Sequence, residues 1–191
     1  MTTQPFDGDP PAFGAAGRLY QAFYGAAQGI ISHSLLALFA RLAIAGVFWR
    51  SFLNKIETNG IFDYVQVIND FEIERSLIKV PAFPITIEAS TFAQFGEGGM
   101  FELPLIPGGL AAIMATTGEG VLPVLLVLGL LTRFAATGLI VMALVIQIFV
   151  FPTNAHFWGT VALWLIPLFY LVGRGGGTIS LDHVLSRQLA R

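Results

Sequence analysis

Apolar residues gather along this chain in four long blocks, and a long polar excursion follows the first of them. A helix needs about 20 mostly apolar residues to cross about 30 Å of hydrocarbon. The blocks run Leu35–Leu53, interrupted by Arg41 and Arg50; Gly108–Leu131, interrupted by Glu119; Phe134–Phe151, with Gln147 as its strong polar group; and His156–Val172. A helix of a soluble protein shows a charged face, whereas Val121–Leu131 and Leu139–Val150 show almost none. Alternation with a period of two is absent, which excludes a β-barrel. Short turns around Thr132–Arg133 and Pro152–Ala155 make the later helices antiparallel neighbours. The pattern predicts an all-α integral membrane protein. Its transmembrane domain, residues 35–173, is an up-down bundle of four helices that includes an outer loop at 54–107.

The flanks read differently. Residues 1–17, rich in Pro, Gly and Ala, predict a flexible tail. Over 18–34, Arg18, Gln21, Gly25, Gln28 and Ser32 share one helical stripe, which predicts an amphipathic helix lying in the interface. The alternative is a continuation of the first span. Residues 174–191 form a tail with a short amphipathic helix, capped by Ser180 and favoured by Asp182 in its first turn. Its Leu181, Val184, Leu185 and Leu189 would face the membrane or a partner. The glycine run at 173–177 lacks the Gly-Lys-Ser/Thr of a phosphate loop.

The excursion is too long for a structureless turn. Ile61–Ile78 mixes apolar and charged residues at near-helical spacing, and Pro81 and Pro84 end it. Ile85–Glu88 alternates like a strand and is expected to pair with Met100–Leu105 across the Gly96–Gly99 turn. The result would be a small extracytoplasmic subdomain capping the bundle; a loop packed on the membrane surface is the alternative.

Composition reinforces the membrane reading. Hydrophobic residues make up 55% of the 191 positions and charged ones 12%, against roughly 25% charged in soluble domains. With no cysteine, disulfides, iron–sulfur ligation and thiolate zinc sites are excluded. A net charge of −2 gives no footprint for nucleic acid. The first 17 residues hold Asp7 and Asp9 and no basic side chain, unlike a secretory signal. Arg18, Arg133, Arg174, Arg187 and Arg191 fall on one side of the membrane, so both termini are expected in the cytoplasm.

Ionisable groups inside a bilayer need a partner or a cavity. Glu119 lies about 16 Å along the second span and Arg41 about 9 Å along the first, counting about 1.5 Å per residue. An Arg41–Glu119 pair is therefore expected. Pro123 lacks an N–H, which frees the carbonyl of Glu119 and favours a kink. Two readings stay open for this spot: a proton-accepting or ligand site, or an ion pair that fixes helix register. A second cluster gathers at the outer end: Trp49, Arg50, Lys55, Gln147, His156 and Trp158. An aromatic belt accounts for its rings, and a quinone pocket needs the same apolar walls with one or two hydrogen-bonding groups. The three histidines offer no bis-histidine haem arrangement and no metal-ligand spacing, so neither a metal nor a tightly bound cofactor is expected.

Several short motifs stand in a telling order: Arg41-Leu-Ala-Ile-Ala-Gly46 leading to Lys55, Glu119-Gly120 followed by Leu128-Gly-Leu-Leu-Thr-Arg133, then Gly173-Arg-Gly through Ser180-Leu-Asp182. In this the chain resembles the DoxX family of small four-helix bacterial membrane proteins, in a subgroup with an extended first loop. The resemblance implies an inner-membrane location and an accessory role in quinone-linked electron transfer or redox homeostasis. It implies as partners the subunits of a respiratory or redox complex, or further copies of this chain. It carries over no catalytic residue; Arg41, Glu119 and Arg133 match recurring polar positions. A non-catalytic assembly subunit and a small-molecule or proton transporter are the other functions considered.

Overall fold

The computed structural model describes residues 17, 19–23, 25, 32–68 and 71–189. Four of its helices are long and apolar enough to cross a membrane: α1 (His33–Leu53), α3 (Gly108–Leu128), α4 (Thr132–Val150) and α5 (Asn154–Arg174). Each has 19 to 21 residues, so about 1.5 Å of rise per residue brings each close to the hydrocarbon thickness. The protein is a multi-pass membrane protein, and the four spans fall where the apolar blocks predict them. The anticipated flexible tail at 1–17 and most of the anticipated interfacial helix lie outside the described residues. Residues 19–23, within that stretch, are helical.

The helices form a ring in which α1 packs on α3 and α5, and α4 packs on the same two. Small side chains make the close approach possible: Ala37, Ala40 and Ala45 of α1 and Ala135, Ala136 and Ala143 of α4 are buried at the centre with Leu126, Leu139 and Leu168. At Gly120 a Cβ would stand 2.9 Å from the ring of Phe52, so any larger residue would have to displace that buried ring where α1 and α3 meet. Large apolar side chains point outward around the ring, among them Phe39, Phe134, Ile166 and Phe169. In water this would be a liability; against acyl chains it is the required surface.

The excursion departs from expectation in two respects. In place of a helix-like segment, Thr58–Ile68 (β1) and Phe71–Pro81 (β2) form an antiparallel hairpin in register Thr58↔Pro81 to Ile68↔Phe71. The near-helical reading failed because Ile61, Tyr64, Val65 and Ile68 recur at helical spacing while being β-branched and aromatic residues that favour the strand. The expected pairing of Ile85–Glu88 with Met100–Leu105 is not formed either. Ile87 instead bridges Ile56, just after α1. A short helix α2 (Ala89–Phe95) follows. It is fastened to Lys55, whose carbonyl accepts from the Glu88 N–H and the Thr91 hydroxyl, both at 3.0 Å. Phe95 packs on Ala111 and Ala112 at the start of α3. The cap over the bundle is thus held from both sides.

At the opposite end the tail turns back on the bundle as α6 (Leu181–Leu189). Ser180 caps it as expected, accepting from the His183 N–H at 3.3 Å. Asp182 lies in the first turn of α6, as expected, and does more. Its two carboxylate oxygens accept from the N–H groups of Leu131 and Thr132, at 2.7 and 2.8 Å, and so cap α4 as well.

Candidate functional site

A cavity of about 340 Å³ opens inside the bundle near the hairpin end. Met114 and Ala115 of α3, Val141 and Met142 of α4 and Trp164 of α5 supply its mostly apolar wall. Phe95, Phe101, Leu103 and Ile106 roof it from the excursion. Ligand pockets of this kind run to roughly 300–1,000 Å³ with a few polar groups placed among apolar walls. Here the polar groups are Ser51, Lys55, Glu119 and His156.

Glu119 is 3% exposed. It does not pair with Arg41. Its Oε2 accepts from Lys55 Nζ at 2.6 Å, and the same ammonium donates to Ser51 Oγ at 2.8 Å. Two physical facts decide the exchange of partners. Lys55 follows the end of α1, but its four-carbon stem lets the charge reach back along the helix into the bundle. Arg41 is held near the other end of α3, where it donates to the carbonyls of Leu126 and Ile179. It is 1% exposed and sits against Gly129, where any Cβ would collide with the guanidinium. Arg41 therefore ties α1 to the turn after α3 and to the tail, and is not part of the cavity. The helix α3 runs through Pro123, which is buried; the Glu119 carbonyl, lacking an N–H at residue 123 to bond, adds polarity to the same level.

His156 stands at the start of α5. Its Nδ1 is 2.9 Å from Gln147 Oε1, and Gln147 Nε2 donates to the Thr153 carbonyl at 3.2 Å. Because the amide is oriented by that carbonyl, its oxygen faces the ring; the tautomer with the proton on Nδ1 donates to it and leaves Nε2 for a ligand. Gln147 lies within one π-helical turn, Ile146–Val150, and His156 immediately precedes another, Phe157–Val161, an irregularity common at functional sites.

Of the outer-end residues singled out from sequence, the structure thus brings Lys55 and His156 to the cavity, with Gln147 orienting His156. The other three stand elsewhere. Trp49 packs on Phe52 with centroids 5.1 Å apart. Arg50 lines a separate groove beside the hairpin. Trp158 is 71% exposed and belongs to the lipid-facing belt. Sequence reasoning missed Ser51, Met142 and Trp164; Ser51 precedes Lys55 by one helical turn, and that spacing was the available signal. Among the described residues no three His, Asp or Glu side chains group as a metal site would require.

Residues 36–152 match the family model for DoxX. The chain belongs to the DoxX family. The match spans α1, the excursion, α3 and α4 and therefore includes every polar residue of the cavity except His156. The motifs after residue 152 that suggested DoxX from sequence lie beyond it, and in this DoxX protein they act at the tail end, around Arg41, Gly129 and Asp182. No curated protein and no solved structure matches the chain.

Proposed function

We propose that this DoxX protein binds a quinone in the cavity beneath the excursion and assists quinone-linked electron transfer in the bacterial inner membrane. The observation that carries the reading is the cavity itself. It is apolar and lies within the spans, yet its wall includes an ammonium–carboxylate pair and a histidine. A quinone supplies the two-electron, two-proton chemistry when bound; the electrons come from a redox partner subunit. The chain's own part is to bind the ring against Met114, Met142 and Trp164, to donate hydrogen bonds to its carbonyl oxygens, and to hold protons nearby. Lys55 Nζ can donate to one oxygen, and His156 Nε2, when protonated, to the other. Glu119 accepts from Lys55 and holds it in place. The roof of Phe95 and Phe101 excludes water from the ring.

The orientation that fits this reading puts both termini in the cytoplasm. Arg133, Arg174 and Arg187 stand at the tail end in short segments, while Arg75 and Lys79 at the hairpin end belong to the long excursion, where basic residues count less.

Titration of the detergent-purified protein with a short-tailed ubiquinone or menaquinone analogue tests the proposal. Saturable quenching of Trp164 is expected, weakened at least tenfold by Glu119→Gln and by His156→Ala. Absence of saturable binding, or binding indifferent to both substitutions, overturns it.

A further inference from the structure

The hairpin end holds four of the chain's ten basic residues: Arg50, Lys55, Arg75 and Lys79. Lys55 is spent on Glu119. The other three all line a single open groove between the last turn of α1 and the hairpin. Arg75 and Lys79 share one face of β2 with Leu77, because alternate strand residues point the same way. Gly60, paired with Lys79 in the register, adds no side chain opposite it. Asn54 completes the polar wall.

No ion pair involves any of the three cations among the described residues, where Lys55–Glu119 is the one that forms. Among the described residues Asp63 is the one acid lining the groove, its Oδ1 accepting from the Ser76 hydroxyl at 2.7 Å, so three cations there face one carboxylate. Three like charges along one groove repel one another until an anion joins them. Arg50 comes three residues before the end of α1, about 4.5 Å by the helical rise, so the groove stands at the level where a bilayer carries its phosphates. Arginine forks and a lysine ammonium together match phosphate oxygens well.

We propose that this groove binds a phosphate group, with Arg50, Arg75 and Lys79 as its ligands. The same chemistry is offered by the headgroup of a phospholipid in the adjoining leaflet and by free phosphate. The site is separate from the cavity and does not depend on what the cavity holds.

The test is calorimetric titration of the whole protein, purified in a neutral maltoside detergent, with two probes: dihexanoyl-phosphatidylglycerol and inorganic phosphate. Saturable binding of the lipid is expected, weakened at least tenfold in R50Q/R75Q/K79Q and retained in R133Q/R174Q, which removes basic residues from the tail end. Binding of inorganic phosphate with the same sensitivity supports the site and assigns the free ion as a sufficient ligand; lipid binding alone assigns the headgroup. Wild-type affinity for the bound probe should also fall several-fold between 50 and 200 mM sodium chloride. That measurement stands even if the triple variant is poorly folded. The proposal is overturned if neither probe binds, if the triple variant binds as well as wild type, or if binding is indifferent to salt.

Discussion

Lys55 reaches Glu119 from beyond the end of α1: its Nζ lies 2.6 Å from Oε2 although its backbone belongs to the segment that anchors the cap. One residue therefore links the polar centre of the bundle to the excursion above it. Breaking a buried pair by removing one partner typically costs about 3–5 kcal/mol, because the other charge is left uncompensated. Glu119→Ala should lower the melting temperature in detergent more than Lys55→Met and Glu119→Gln combined. If the double variant is the least stable of the set, the pair is not acting as a buried ion pair.

A companion expectation concerns Arg41. Because it bonds to backbone carbonyls rather than to Glu119, its loss should add to the loss of Glu119 instead of rescuing it. Free energies of distant, independent sites add within about 0.3–0.5 kcal/mol. A melting cycle of Arg41→Met, Glu119→Gln and the double variant measures this, and strong coupling would contradict the geometry.

Asp182 provides the N-terminal cap of α4 from 50 residues away. Loss of a capping side chain costs about 0.5–2 kcal/mol. Asp182→Ala should destabilise the protein by that order, with Asp182→Asn intermediate because the amide keeps one acceptor. Thermal melting followed by helical circular dichroism would show it; equal melting of wild type and the alanine variant would refute the cap.

Gly129 has φ +67°, and a Cβ there would strike Arg41 and Ser180. Left-handed backbone alone costs a non-glycine residue about 1–2 kcal/mol. Gly129→Ala is expected to destabilise by more than that, whereas Gly46→Ala, with open space around it, should be close to neutral. Comparing the two melting curves separates a packing requirement from a general dislike of change in apolar helices.

Quinone binding should discriminate among the outer-end residues. His156→Ala and Lys55→Met are expected to weaken it, while Trp158→Ala and Arg50→Gln leave it unchanged, since neither of those side chains lines the cavity. Fluorescence titration of the four variants decides this, and an effect of Trp158→Ala equal to that of His156→Ala would point to a different site.

The four spans were legible because the bilayer imposes one demand, length with low polarity, that any stretch of sequence either meets or fails. The hairpin was not. Ile61, Tyr64 and Val65 recur at helical spacing, and pairing between strands is a non-local fact that no single run of sequence carries. The partner of Glu119 was misread for a related reason. Depth counted along straight helices favours Arg41, whereas the outcome was set by the reach of a flexible lysine and by carbonyls near Gly129 and Ile179 that claim the arginine first. His156 and Gln147 were found as polar residues in an aromatic end, yet their hydrogen bond and the π-helical turns beside it leave no mark in composition.

The contact between Asp182 and the start of α4 also orders events during synthesis. The ribosome delivers Thr132 long before it delivers residue 182, so the third span enters the membrane with those two amide groups unanswered. The acceptor arrives only after the fourth span has been made. A chain stopped short of that aspartate would carry all four spans and still lack the clasp that joins its final segment to them.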